Sequence, residues 1–290
     1  MSADKEYSAL LQRVLTTGTK RTGRNGETIS RFGERIEFAD VGNEFPILTT
    51  KRVYWKGVVE ELLWFLSGSS DVSVLREQGV HIWDGNSTRA YLDSIGLTAY
   101  SEHEEGGPIY GWQWRHFGAK YINCKTDYSG QGTDQIVGLI DGIRRDPASR
   151  RHMLCAWNAA DIGAMILPPC HVLYQFYVEN GHLDCQMYMR SCDVFLGLPF
   201  NIASTATLMY LIAGACNLVP RKLIIVFGDC HIYSTHLDAV NEQMKREGRA
   251  GTVLKIREGS ISRDLHGMKA EDFILEGYNP HKTIKADMIA

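Results

Sequence analysis

Segment 202–216 contains no charged side chain and is apolar around the whole helical circumference. It falls short of the roughly 20 residues that a bilayer span requires, and it lacks flanking charges. In water such a helix is stable only when other elements cover it on every side. Several segments read as the strands of that covering. Segments 153–157 and 172–178 are apolar on successive residues, 183–190 alternates more clearly, and 223–227 is another buried strand. β-Branched and aromatic types are common among them, which suits a pleated surface. Together they predict a sheet packed on both sides and a central buried helix.

Periodicity near 3.6 adds helices over 5–18 (Leu10, Leu11, Val14, Leu15), 53–66 (Val58, Leu62, Leu63, Phe65, Leu66) and 134–145. Shorter helices are expected at 71–78, early in 89–107, and at 238–247, with Gly68 closing the second of the long ones. Segment 16–30 carries Gly18, Gly23 and Gly26 with Lys20, Arg21 and Arg24. It reads as a flexible loop, either merely solvated or suited to clasping an anion. Segment 32–38 is a weak strand, the aromatic run 110–118 a loop, and 269–290 strand and loop ending in a mildly apolar tail. With no repeat, low-complexity segment or linker, residues 1–290 are expected to form one α/β (α+β) domain.

Across the 290 residues, 44% are hydrophobic and 22% charged, ordinary for a soluble enzyme. A formal net charge of -3 gives no electrostatic case for nucleic acid. The opening MSADKE is charged and leads into no apolar signal segment, so a cytoplasmic or nuclear location is expected. Seven cysteines without regular spacing or a CxxC pair argue against a disulfide framework. Cys230 and His231 adjoin, but nothing around them forms a zinc ligand pattern, so no metal is expected.

Among those cysteines, Cys170 has a distinctive setting. Pro168 and Pro169 stiffen the backbone before it, and a strand follows at once. The next strand delivers Arg190, Ser191 and Asp193 close together. An arginine is the residue type that lowers a thiol pKa, and beside a serine hydroxyl it also makes a phosphate clamp. His171 follows Cys170 directly, and adjacent strand residues face opposite ways, so it is a poor local base for peptide hydrolysis. Glu60 and Glu61 interrupt the apolar stripe of 53–66. Taken alone, each is expected to face solvent, since burying one unpaired would raise its pKa and neutralise it.

Long stretches of the chain resemble the thymidylate synthase family. They are FPILTTKRVYWKGVVEELLWFLSG at 45–68, VHIWDGN at 80–86, PIYGWQWRHFGAKY at 108–121 and DYSGQGTDQI at 127–136. LPPCHVLYQFYV at 167–178, RSCDVFLGLPFNIAS at 190–204, GDCHIYSTH at 228–236 and EGYNPHKTIKADM at 276–288 complete the set. The resemblance implies a homodimer whose large mixed sheets stack back to back. It implies reductive methylation of dUMP to dTMP, with 5,10-methylenetetrahydrofolate as co-substrate giving carbon and hydride.

By the same resemblance Cys170 is the nucleophile that adds to C6 of the pyrimidine. Arg21, Arg190 and Ser191 bind the phosphate, joined by Arg150 and Arg151 from the other subunit. Asn201 reads the uracil edge, and His231 and Tyr233 hold the ribose 3′-hydroxyl. Glu61 and Tyr110 serve proton transfer near O4 and C5, which reverses the solvent-facing expectation for Glu61. Ile82, Trp83, Asn86, Asp193, Leu196, Gly197, Phe200, Tyr233 and the terminal Ala290 form the folate site, Asp193 and Trp83 also acting in catalysis. The chain departs from the family pattern at Met189 (glutamine is common), Thr205 (tyrosine), Ala159 (proline) and Glu105-Gly106-Gly107. Two alternatives follow: a pyrimidine nucleotide 5-hydroxymethylase, in which water replaces hydride, and a homologue that binds RNA. Asn201 stands where deoxycytidylate hydroxymethylases typically carry aspartate, which favours uracil.

Overall fold

The uncharged segment belongs to a longer helix, Gly197–Ala215, that carries the chain from one strand, His182–Asp193, to its parallel neighbour, Val219–Tyr233. A parallel pair cannot be closed by a hairpin, and here the crossover helix makes the connection. Thirteen of its 19 residues are buried, which accounts for the missing charges.

The computed structural model describes residues 3–23 and 25–289. In chain order the first half comprises α1 (Ala3–Thr17), β1 (Thr19–Gly23), β2 (Gly26–Phe32), β3 (Arg35–Phe38), α2 (Trp55–Ser67), α3 (Ser73–Glu77), α4 (Arg89–Ser94), α5 (Tyr110–His116) and α6 (Gln135–Arg145). Then follow β4 (Met153–Cys155), β5 (His171–Glu179), β6 (His182–Asp193), α7 (Gly197–Ala215), β7 (Val219–Tyr233), α8 (Leu237–Met244), β8 (Val253–Ile256) and β9 (Phe273–Glu276). A 7-stranded mixed sheet runs β1-β2-β7-β6-β5-β4, with β3 also on β7, while β8 and β9 pair separately.

Two stretches expected to be loops are regular. Segment 16–30 folds into the β1–β2 hairpin, because Lys20, Thr22, Thr28 and Ile29 tolerate an extended edge and the ladder satisfies their backbone groups. The aromatic run at 110 is helix α5, whose bulky side chains fill space beneath α2 and so override a weak helical propensity. Strand β8 escaped the periodicity reading altogether.

The sheet is also covered differently from expectation. Leu154, Tyr174, Met187 and Ile225 lie in register across four strands, all buried. The neighbouring row is Met153, Gln175, Gln186 and Ile224, of which the first three are exposed. One face packs on the helices of the same chain, and the other is open in the protomer. Successive apolar residues in these strands do not mean that both faces are covered from within.

Helix α5 lies against α2 so closely that a Cβ on Gly111 would come 2.3 Å from the Phe65 carbonyl oxygen. Backbone cannot yield cheaply at such a contact. Gly111→Ala is therefore expected to destabilise the fold by about 1–3 kcal/mol, read as a lowered urea midpoint with the slope unchanged.

Candidate active site

The end of the β6–β7 pair collects chemistry from several strands. Register sets Ser191 beside Asp229 and Asp193 beside His231. On the other edge of β7, β2 sets Thr28 opposite Tyr233, and β1 sets Arg21 opposite Thr28. Parallel strands end together, so one edge of the sheet gathers Arg21, Arg190, Ser191, Asp193, His231 and Tyr233. Asp229 ties part of this group together, accepting from Arg21 Nη1 at 3.1 Å and contacting His231 Nδ1 at 2.9 Å. The His231 hydrogen bond, aided by Arg21, holds the Asp229 carboxyl below its usual range despite partial burial.

Cys170 stands just before β5, and its carbonyl accepts from the Arg190 amide at 2.9 Å. Arg190 then turns its guanidinium onto the carbonyls of Pro169, at 2.9 Å, and Pro168, leaving Nη2 3.8 Å from the Cys170 sulfur. The Cys170 amide donates to the Tyr110 phenol oxygen at 2.8 Å. Burial pushes the Cys170 thiol up, and Arg190 and Tyr110 offset that only in part. Tyr110 itself has a φ of 24°, sparsely populated for a residue with a Cβ. Stacking on Phe65 at 4.8 Å and a ring contact with His171 at 4.4 Å hold it there.

Glu61 points inward from α2 and accepts from the Trp83 indole N–H at 2.8 Å. Burial lifts its carboxyl to about 7, and the indole bond, which favours the charged form, keeps it from rising further. The solvent-facing expectation fails for Glu61, whose carboxyl is desolvated even though the residue keeps some accessible surface. Glu60 borders a separate groove with Leu63, Met268 and Lys269.

At the start of α7, the Asn201 side-chain oxygen passes 3.7 Å from where a Cβ on Gly197 would sit, so that glycine leaves the amide room. Asp193 accepts the amides of Phe195 at 2.9 Å and Leu196 at 3.2 Å, which fixes the turn into the helix. Leu196 and Phe200 line a 790 Å³ cavity with Lys51, Arg52 and residues 283–287. Ile82, Trp83 and Asn86 lie on the segment after α3, with Trp83 and Asn86 largely buried. Ala290 lies outside the described residues. Arg150 and Arg151 are exposed ahead of β4, and their guanidinium groups make no ion pair or hydrogen bond among the described residues.

Sequence reasoning missed Asp229 and Lys51. Asp229 stands two residues before His231, hence on the same strand face, and that spacing was a readable signal. Lys51 offered none: it donates to the Phe195 carbonyl, lies 3.5 Å from that ring, and is lowered by burial to about 7.

A mixed sheet that presents a tyrosine-held thiol and two arginines at one edge, with a buried carboxyl from α2 nearby, defines a cysteine-centred site for an anionic ligand. The chain belongs to the thymidylate synthase family, whose sequence model matches residues 5–290. It is 49% identical to the thymidylate synthase of Homo sapiens over 98% of this chain and 90% of that protein. It is similarly 49% identical to the bifunctional dihydrofolate reductase-thymidylate synthase of Zea mays, over 98% of this chain. It spans 54% of the Zea mays protein, about half the length of the bifunctional relatives it matches.

Trp83→Phe keeps an aromatic ring and removes the donor that favours ionised Glu61. Titration of the Glu61 carboxyl by isotope-edited infrared spectroscopy is expected to shift upward from about 7, by roughly one unit for the loss of one charge-assisted hydrogen bond.

Proposed function

We propose that the protein converts dUMP to dTMP by reductive methylation. The observation that carries this reading is Cys170 held between Tyr110 and Arg190 in a member of the thymidylate synthase family. Cys170 adds through sulfur to C6 of the uracil, which makes C5 nucleophilic. The approach of Arg190 and the Tyr110 hydroxyl lowers the cost of ionising a thiol that burial otherwise protects. Asn201 donates to O4 and accepts from N3–H, the polarity that uracil presents and cytosine does not. Glu61, poised near neutrality, exchanges protons near O4, and Tyr110 assists removal of the C5 proton. Asp193 and Trp83 support catalysis from the folate side.

Arg21, Arg190 and Ser191 hold the phosphate, and His231 and Tyr233 hold the ribose. The second substrate is 5,10-methylenetetrahydrofolate, which supplies the one-carbon unit and hydride. Apolar and aromatic groups in the cleft, Ile82, Trp83, Leu196 and Phe200, suit the flat ring system, with Asn86, Gly197 and Asp193 alongside. The tail around Ala290 would shield it from water. Residues 1–290 act as one domain in a cytoplasmic (or nuclear) homodimer. Two features support the dimer: the open sheet face, with Met153 and Tyr177 exposed, and the exposed Arg150 and Arg151, which have no ionic partner among the described residues. Across such an interface the two arginines would complete the partner's phosphate site. No observation favours nucleic acid or a membrane as a partner.

Incubation with dUMP and methylenetetrahydrofolate is expected to yield dTMP and dihydrofolate, whereas 5-hydroxymethyl-dUMP with tetrahydrofolate would mark a hydroxymethylase and overturn the reading. 5-Fluoro-dUMP with the same folate should leave a covalent adduct on residue 170 after denaturation, absent in Cys170→Ser. Replacing Arg150 or Arg151 with alanine should raise the KM for dUMP about tenfold or more, as loss of a charge-assisted phosphate contact requires. Sedimentation of the unmodified protein should give the dimer mass.

A further inference from the structure

His171 and Tyr174 are three residues apart on β5, a spacing that in a regular strand turns side chains to opposite faces. Here the pairing with β6 shifts register between His171 and Leu173, so that His171 lies opposite Met189 and Tyr174 opposite Met187. A bulge at Val172 has therefore brought both side chains to the buried face, and bulges characteristically re-aim a side chain in this way. The Tyr174 hydroxyl contacts His171 Nδ1 at 2.7 Å. His171 in turn packs against Tyr110, the residue that receives the Cys170 amide.

The direction of the Tyr174–His171 hydrogen bond follows from the groups around it. Thr205 on α7 donates to the Met187 sulfur at 3.3 Å. Among the described residues the buried Tyr174 hydroxyl makes one hydrogen bond, to His171 Nδ1, and its proton would go unsatisfied unless it were donated there. An imidazole that accepts at Nδ1 carries its own proton at Nε2, on the far edge of the ring. Nε2 finds no acceptor among the described residues, and His171 keeps 7% of its surface accessible. The ring stays neutral, since burial lowers it to about 3.

We propose that Tyr174 is a positioning residue, which locks neutral His171 in its Nε2–H tautomer and so fixes a single N–H donor in the wall beside Tyr110 and Cys170. The kinetic part of the proposal rests on the dTMP-forming reading, and the tautomer does not.

Nitrogen-15 NMR of histidine-labelled protein without substrate, assigned with His171→Gln, reads the tautomer directly. Protonated Nε2 and bare Nδ1 are expected in the unmodified protein, with a mixture of tautomers in Tyr174→Phe. In the same variant kcat should fall about tenfold, equivalent to about 1.4 kcal/mol for one hydrogen bond, with the KM for dUMP changed less than twofold. Thr205→Val should retain the Nε2–H tautomer, since the Tyr174 proton has only Nδ1 to serve. Protonated Nδ1 in the unmodified protein overturns the proposal whether or not any variant folds. So does a Tyr174→Phe protein with unchanged tautomer and kcat. An unmodified protein with the expected tautomer but no dTMP product defeats the reaction assignment and leaves the tautomer assignment standing.

Discussion

The hydrogen bond from the Cys170 amide to the Tyr110 phenol joins the two halves of the structure. One partner stands between β4 and β5 of the main sheet, and the other begins helix α5, which packs on α2. Its geometry requires Tyr110 to accept an unfavourable backbone angle, with Gly111 directly under the Phe65 carbonyl. Strain at that point is sustained because Phe65, Trp83 and His171 enclose the phenol. The same contacts bring Glu61 into the cleft, since its indole partner is one of those rings. Placing the thiol and placing the carboxyl are thus one packing problem.

Burial pushes the three central titratable groups toward their neutral forms. The Cys170 thiol and the Glu61 carboxyl rise, and the His171 ring falls. The shifts differ in consequence. His171 is removed from titration altogether and can only donate or accept through a fixed tautomer. Glu61 arrives near neutrality, where a carboxyl exchanges a proton readily in either direction. One desolvated environment therefore yields a permanent dipole and a proton carrier from residues on different elements.

Much of this arrangement could be read from the chain. The absence of charge from 202–216 announced a covered helix, and the long motifs around Cys170, Arg190 and Asn201 announced the family. What escaped the reading depends on long-range contact. The arginine-bearing hairpin at 19–32 becomes regular only because β7 offers a partner, and α5 only because α2 leaves a slot for its aromatic residues. Successive apolar residues in 172–178 suggested burial on both sides, yet one row faces outward in the protomer. The Glu61 environment was invisible for a related reason: the desolvating residues come from segments distant in sequence, and helical periodicity reports only its own face. The bulge at Val172 has no local signature either, since register is a property of two strands.

Arg190 has two competing claims on its charge. Its fork is occupied by the neutral carbonyls of Pro168 and Pro169, and its Nη2 lies 3.8 Å from the Cys170 sulfur. None of the ion pairs among the described residues neutralises it, so its full field is available to favour the thiolate. A bound nucleotide dianion would attract the same guanidinium and cancel part of that field just when the nucleophile is required. Arg21 offers limited relief, since Asp229 already offsets its charge. Further cations are needed to keep the potential at the sulfur positive once phosphate is bound. In the proposed dimer Arg150 and Arg151, which make no ion pair among the described residues, are the groups that would provide them. On the dimeric reading proposed above, assembly across the open sheet face supplies those cations and so helps to make the cysteine reactive.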